Sequence, residues 1–250
     1  MEKKNQLNNH NEIQRQYYEK RSFEENHRLQ ASLDSVESPY LLSHLEKVIR
    51  YGLFNKTDKI LDVGCGMGKY TIPLAQRGYN IEGMDLCQTL LDGLKAKSQN
   101  MKQINTYCFD LHHPIEELKG QYDVIFGGFM LHHLLDLTAS FNAINQLLNK
   151  HGKVVFIDVN PLCPLYYLQI TLSTNMRWRA EKGIFNLTQK NLTMELDKTG
   201  FCNIQFQKFG IEPPFIRNSK IGGGIDKLFS KLHCLKKLSA FQIIVAEKIN

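Results

Sequence analysis

Lys59-Ile60-Leu61-Asp62-Val63-Gly64-Cys65-Gly66-Met67-Gly68-Lys69 decides how this chain of 250 residues is read. Ile60, Leu61 and Val63 make a short apolar run suited to a strand buried on both faces, and glycines then break it abruptly. Without side chains at Gly64, Gly66 and Gly68, a ligand can approach the backbone closely. From Lys69 to Gln76 the spacing predicts a helix whose first amides point at the same spot. Strand, turn and helix together build a cradle of the kind that holds nucleotides. A dinucleotide fingerprint, G-x-G-x-x-G, would need its third glycine at position 69, where the chain has Lys69. The spacing here is G-x-G-x-G behind an acid, Asp62, which disfavours a dinucleotide oxidoreductase.

Working outward, Tyr79 to Asp85, Ile104 to Phe109, Tyr122 to Gly127 and Lys153 to Val159 read as the second to fifth strands. Helical stretches such as Leu86 to Asn100 and Leu137 to Lys150 separate them. Thr188 caps a helix through Leu192 and Leu196 that ends at Gly200. Phe201 to Phe209 then reads as a sixth strand and Phe241 to Ala246 as a seventh, antiparallel one. The alternation predicts an α/β fold, a doubly wound, mostly parallel seven-stranded sheet with an antiparallel last strand. Upstream, Ser38 and Pro39 form a cap and first helical position for Leu41, Leu42, Leu45, Val48 and Ile49. Met1 to about Gln30 is a polar arm with few large apolar residues, among them Tyr17 and Tyr18. The expected division is a helical arm or cap over residues 1–52 and a main domain over 53–250. Insertions at about 160–187 and 210–238 would leave the carboxyl rim of the sheet and, with the arm, roof the pocket.

In such a sheet a ligand sits at the carboxyl ends of the strands, near the point where strand order reverses. Asp62, Asp85 and Asp110 each lie at the end of a successive strand. One such acid can be a helix cap or a solvated group; three in succession point to one site. On the acid and glycine spacing from Asp62 to Gly68, the chain resembles the class I S-adenosylmethionine-dependent methyltransferases. The resemblance implies a Rossmann-like methyltransferase domain, S-adenosyl-L-methionine as cofactor and S-adenosyl-L-homocysteine as product. Under it, Asp62, Gly64, Cys65, Gly66 and Gly68 form the cofactor cradle. Asp85, with Leu86, takes the ribose hydroxyls, and Asp110, with Leu111, takes the adenine amino group. Tyr17 or Tyr18 of the arm is expected to touch the cofactor. Gly127-Gly128-Phe129-Met130-Leu131-His132-His133-Leu134 is similar to the fourth motif of the subgroup that methylates small molecules, where Phe129 and Met130 would flank the cofactor. His132 or His133 offers a general base, since imidazole titrates near neutral pH, and His132 is the leading candidate. Packing at a helix start is the alternative for both. His112 and His113, beside Pro114, are weaker sources of an imidazole.

Composition bounds the remainder. With 42% hydrophobic residues the chain can bury one sizeable core. Its longest apolar stretch, Val124 to Leu135, contains His132 and His133 and falls short of the roughly 20 residues a membrane span needs. Met1 to Lys20 lacks the apolar segment of a secretory signal, so a cytoplasmic location is expected. The 6 cysteines are scattered without a C-x-x-C pair, so no metal cluster or disulfide framework is expected. The net charge of +6 is modest and dispersed, which argues against nucleic acid as partner. The Asp/Asn-Pro-Pro-Tyr/Phe tetrad of enzymes that methylate exocyclic amines of bases is missing after the fourth strand. Glu212-Pro213-Pro214-Phe215 mimics it only after the sixth. Residues 225–238 read as a basic amphipathic helix, either a lid or a peripheral contact with an anionic membrane. The function expected is methylation of a small-molecule acceptor. The alternatives are a lipid-like, RNA or protein acceptor, or a non-catalytic partner subunit that keeps the fold. Oligomeric state is left open.

Overall fold

A computed structural model describes residues 12–16, 19, 38–101, 103–172, 182–210 and 233–249. Seven strands form one sheet: β1 (Lys59–Val63), β2 (Asn80–Asp85), β3 (Thr106–Cys108), β4 (Tyr122–Gly128), β5 (Leu148–Val159), β6 (Phe201–Phe209) and β7 (Phe241–Lys248). Their order is β3-β2-β1-β4-β5-β7-β6. The first five run parallel, and β7 lies antiparallel between β5 and β6. β6 therefore points the same way as the first five. Strand order reverses where β1 meets β4, and the crevice of such a sheet opens at that switch point.

Successive side chains along a strand point to opposite faces, and here both faces are buried, which is why the strands read as continuous apolar runs. Ile60, Val124, Val155 and Ile243 pack under helix α1 (Pro39–Gly52) with its Tyr40, Leu41, Leu45 and Val48. Their neighbours Leu61, Ile125, Val154, Phe156 and Ile244 face the other way. They pack on Phe141, Ile144 and Leu147 of a helix at Leu137–Leu147 and on Leu192 and Leu196 of one at Gln189–Lys198. α1 starts as expected, with Ser38 Oγ accepting from Leu41 N–H at 3.2 Å and Pro39 in its first turn. Further helices among the described residues are α2 (Thr71–Gln76), α3 (Gln88–Lys97), α4 (Leu137–Leu147), α5 (Pro164–Leu172) and α6 (Gln189–Lys198).

Several boundaries differ from the sequence reading. α2 begins at Thr71, not Lys69, because Gly68 sits at φ 85° and the turn continues through Tyr70. β3 is short, since only Thr106 to Cys108 pair with β2 at the sheet edge. α4 stops at Leu147 because β5 begins at Leu148 opposite Tyr122, with a register shift before Lys153. Of the expected helix at 225–238, only His233–Leu238 is described, and it is a 3-10 turn.

Two further 3-10 turns, Leu131–His133 and Lys182–Leu187, pack on each other. Gly183 makes this possible: a Cβ there would collide with the His132 carbonyl group, which is backbone and cannot swing away. Gly183→Ala is expected to lower the stability of the fold by about 1–3 kcal/mol through overpacking. Urea unfolding checks this, and a wild-type midpoint would show that the two turns do not depend on that contact.

Candidate active site

At the carboxyl ends of β1 to β4 the sheet opens into a cavity of about 400 Å³. From the end of β1, Asp62, Gly64, Cys65, Gly66 and Gly68 line it. Gly64 N–H and Cys65 N–H both donate to Met84 O, at 2.8 and 3.0 Å, which folds the glycine loop back over β2. Gly66 has φ 53°, and a Cβ added there would meet nothing within 4 Å, so a ligand has room to reach its backbone. Gly68 is required for the opposite reason. At φ 85° a side chain is strained, and a Cβ would come within 2.8 Å of Ile72.

Asp85 and Leu86 line the cavity from the end of β2. Asp85 accepts from Gly66 N–H at 2.8 Å and Cys87 N–H at 2.9 Å, one bond on each carboxyl oxygen. Burial raises its pKa, and the donated amide bonds work against that shift. Asp62 is wholly buried and accepts from Thr71 Oγ at 2.6 Å. Burial pushes its pKa to about 7; the Thr71 bond lowers it and the Asp85 charge adds to the rise. Asp110 and Leu111 reach the cavity from beyond β3. His112 N–H donates to Asp110 Oδ1 at 3.0 Å, and His112 Nδ1 lies 3.0 Å from the same oxygen.

Phe129 and Met130 follow β4 and also line the cavity. Phe129 holds φ 57°, which is uncommon for a bulky residue. It is fixed by its N–H donating to Ile157 O at 2.8 Å and by ring contacts with His44 and Tyr70, centroids 5.9 and 6.3 Å away, which are themselves joined by a 2.9 Å contact between His44 Nδ1 and the Tyr70 hydroxyl. His132 is buried and is not among the described residues that line the cavity, whereas His133 is. The His132 Nδ1 atom lies 2.7 Å from Asp158 Oδ1, and Leu131 N–H donates to Asp158 Oδ2 at 2.9 Å. Asp158, fully buried at the end of β5, thus caps the turn that carries both histidines. The two imidazole centroids are 3.9 Å apart.

The structure therefore gathers eleven of the sequence-predicted cofactor residues around one cavity. The twelfth, Tyr18, and its alternative Tyr17 lie outside the described residues, although Gln14 and Arg15 line the cavity from the same arm. Sequence reasoning missed Lys69, Tyr70, Lys97 and Asp158. Asp158 could have been found by the strand-end rule that picked Asp85. Lys69 was read only as a missing glycine, yet it lines the cavity with its Nζ 5.5 Å from the Phe129 ring. Arg15, Lys69 and Lys97 line the cavity together with Asp62, Asp85 and Asp110, and Arg15 is itself paired with Glu12 at 2.8 Å.

Residues 34–205 match the family described as methyltransferase domain. A ubiquinone biosynthesis O-methyltransferase of Psychrobacter cryohalolentis is 28% identical over 86% of this chain and 80% of its own length. A second protein of that description, from Psychrobacter arcticus, is 31% identical over 66% of this chain and 65% of its own length. Among solved structures, phosphoethanolamine N-methyltransferase 2 of Haemonchus contortus in complex with S-adenosyl-L-methionine superposes with a TM-score of 0.60 at 16% identity, over 89% of this chain and 59% of that one.

The Asp62 environment has a measurable consequence. An aspartate titrates near 3.9 in an unfolded chain but at about 7 here. Between those values the folded protein binds the extra proton, so this group makes stability fall as pH rises through the window and level off above it. Asp85 is shifted in the same direction. Asp62→Asn should flatten the urea midpoint between pH 4.5 and 7 relative to wild type, by at most about 1.4 kcal/mol per pH unit. Parallel curves for the two proteins would rule the shift out.

Proposed function

The chain belongs to the methyltransferase domain family, and from that membership we infer that it is an enzyme transferring a methyl group from S-adenosyl-L-methionine to a small-molecule acceptor. The observation that carries the reading is the convergence of three strand-end carboxyls and an open glycine loop on one cavity. These residues fit the cofactor. Its ribose hydroxyls, adenine amino group and ammonium group are donors, and Asp85, Asp110 and Asp62 are acceptors. Lys69, Arg15 or Lys97 would meet its carboxylate. When bound, the cofactor supplies a methyl group on a sulfonium, which leaves by in-line displacement as S-adenosyl-L-homocysteine forms.

What the chain itself does is hold, orient and shield. Phe129, held by the His44 and Tyr70 rings, and Met130 form the wall from which water must be excluded. The acceptor atom we propose is a hydroxyl oxygen, supported by the O-methyltransferase description of the relatives. A hydroxyl must lose its proton as the methyl arrives, and the histidine pair after β4 is placed to take it. His133 presents to the cavity; His132, on Asp158, stands behind it as the other candidate base. The proposed division is an arm over residues 1–52 and a transfer domain over 53–250 with insertions at about 160–187 and 210–238, of which residues 1–11, 17–18, 20–37, 173–181 and 211–232 lie outside the described residues. Among the described residues no helix is long and apolar enough to cross a membrane.

Calorimetric titration with S-adenosyl-L-homocysteine, S-adenosyl-L-methionine and NAD tests the cofactor. The two adenosyl compounds should bind and NAD should not; Asp85→Ala should weaken binding by about 1–3 kcal/mol, since it removes a charged acceptor and the tether of Gly66. Absence of adenosyl binding by folded protein would overturn the reading. With a phenol panel and labelled methyl groups, His133→Ala should lower turnover by about 10²-fold or more at unchanged S-adenosyl-L-homocysteine affinity. Loss confined to His132→Ala would move the base to that residue, and full turnover in both would remove it from the pair.

A further inference from the structure

We propose that His112 is a positioning residue that makes the cavity selective for a 6-aminopurine, by holding the Asp110 carboxyl in one orientation. The inference rests on the placement of adenine at Asp110 proposed above. Asp110 lies just past β3, and its Oδ1 takes both the His112 N–H and the His112 Nδ1 contact, each at 3.0 Å. The far side of the ring is anchored as well: His112 Nε2 lies 3.0 Å from Ser140 Oγ of α4. Ser140 is fully buried and donates its own hydrogen to Asp136 O at 2.8 Å, so its oxygen accepts from Nε2–H. The His112 side chain is 8% exposed, and turning it would break both contacts without water to replace them.

Asp110 Oδ1 is thereby committed within the protein. A carboxylate oxygen has two lone pairs, so Oδ2, 3.6 Å from Nδ1 of the exposed His113, is the oxygen through which Asp110 would accept from a ligand. A 6-amino group offers that oxygen a hydrogen, whereas a 6-oxo group offers lone pairs. A carboxyl that could swing would rescue the 6-oxo ring by accepting from its N1–H; one fixed at Oδ1 cannot. Discrimination then arises from the missing freedom of Asp110, in addition to its charge.

The test is calorimetric affinity for S-adenosyl-L-homocysteine and for its 6-oxo counterpart, S-inosyl-L-homocysteine, with three proteins. Wild type should prefer the 6-amino ligand by about tenfold to a hundredfold, the effect of one hydrogen bond to a charged group. His112→Ala, which keeps the backbone N–H on Oδ1 but loses the ring, should narrow the preference to a few-fold. His112→Asn, which keeps a donor close to the Nδ1 position, should restore most of the preference. Undiminished preference in His112→Ala, or equal losses for both ligands, overturns the proposal, the second outcome marking a merely structural role. If His112→Ala does not fold, Ser140→Ala removes the far anchor: a reduced preference supports the proposal and a full one overturns it. Wild type that binds neither ligand brings down the cofactor reading itself, an outcome separate from a lost or kept preference.

Discussion

The carboxyl rim depends on how the glycine loop is tied to the strand beside it. Asp85 accepts from Gly66 N–H and from Cys87 N–H, so one carboxyl closes the loop after β1 and also starts the segment after β2. Loop backbone that turns three times through positive φ has little of its own to hold it, because a glycine loses more freedom on ordering than any other residue. The two bonds to Met84 O and the one to Asp85 supply the restraint. A carboxylate has about four lone-pair sites, so Asp85 can organise the empty loop and still accept from a ligand.

Two other buried carboxyls show how the same fold uses charge in opposite ways. Asp158 is surrounded by donors: Leu131 N–H, Val159 N–H and the His132 ring all reach it within 2.9 Å. It is finished by the protein and serves to seat the turn after β4. Asp62 has the Thr71 hydroxyl, and burial leaves its pKa at about 7. Its charge is costly in that burial, with only one hydroxyl donated to it.

Much of the sheet was legible in the sequence because both of its faces are buried. β6 begins and ends where the apolar alternation does, and Gly200 at φ 83° marks its start. Errors fell where a boundary depends on a distant partner. α4 yields to β5 at Leu148 because that residue pairs with Tyr122, and no local signal distinguishes helix from strand there. The same rule governs the site. Asp62, Asp85 and Asp110 were readable as strand-end acids because topology alone brings strand ends together. Which of His132 and His133 meets the cavity was not, since that choice is made by Asp158 and by Gly183 on another turn. The grip of His112 on Asp110 is half local and half remote. An acid two residues before a histidine is visible in the chain, but Ser140 as its second anchor is not.

The place of β7 has a consequence for how the molecule is made. Among the described residues β6 pairs with β7 alone, and β7 is also the neighbour of β5, so the half of the sheet beyond β5 is assembled through a strand synthesised after both of the strands it joins. While a nascent chain leaves the ribosome, β1 to β5 can zip together in order, but β5 then presents an open apolar edge until residues 241–248 appear. That interval is when the chain is most exposed to pairing with a neighbour, and a chaperone that covers the β5 edge would protect it.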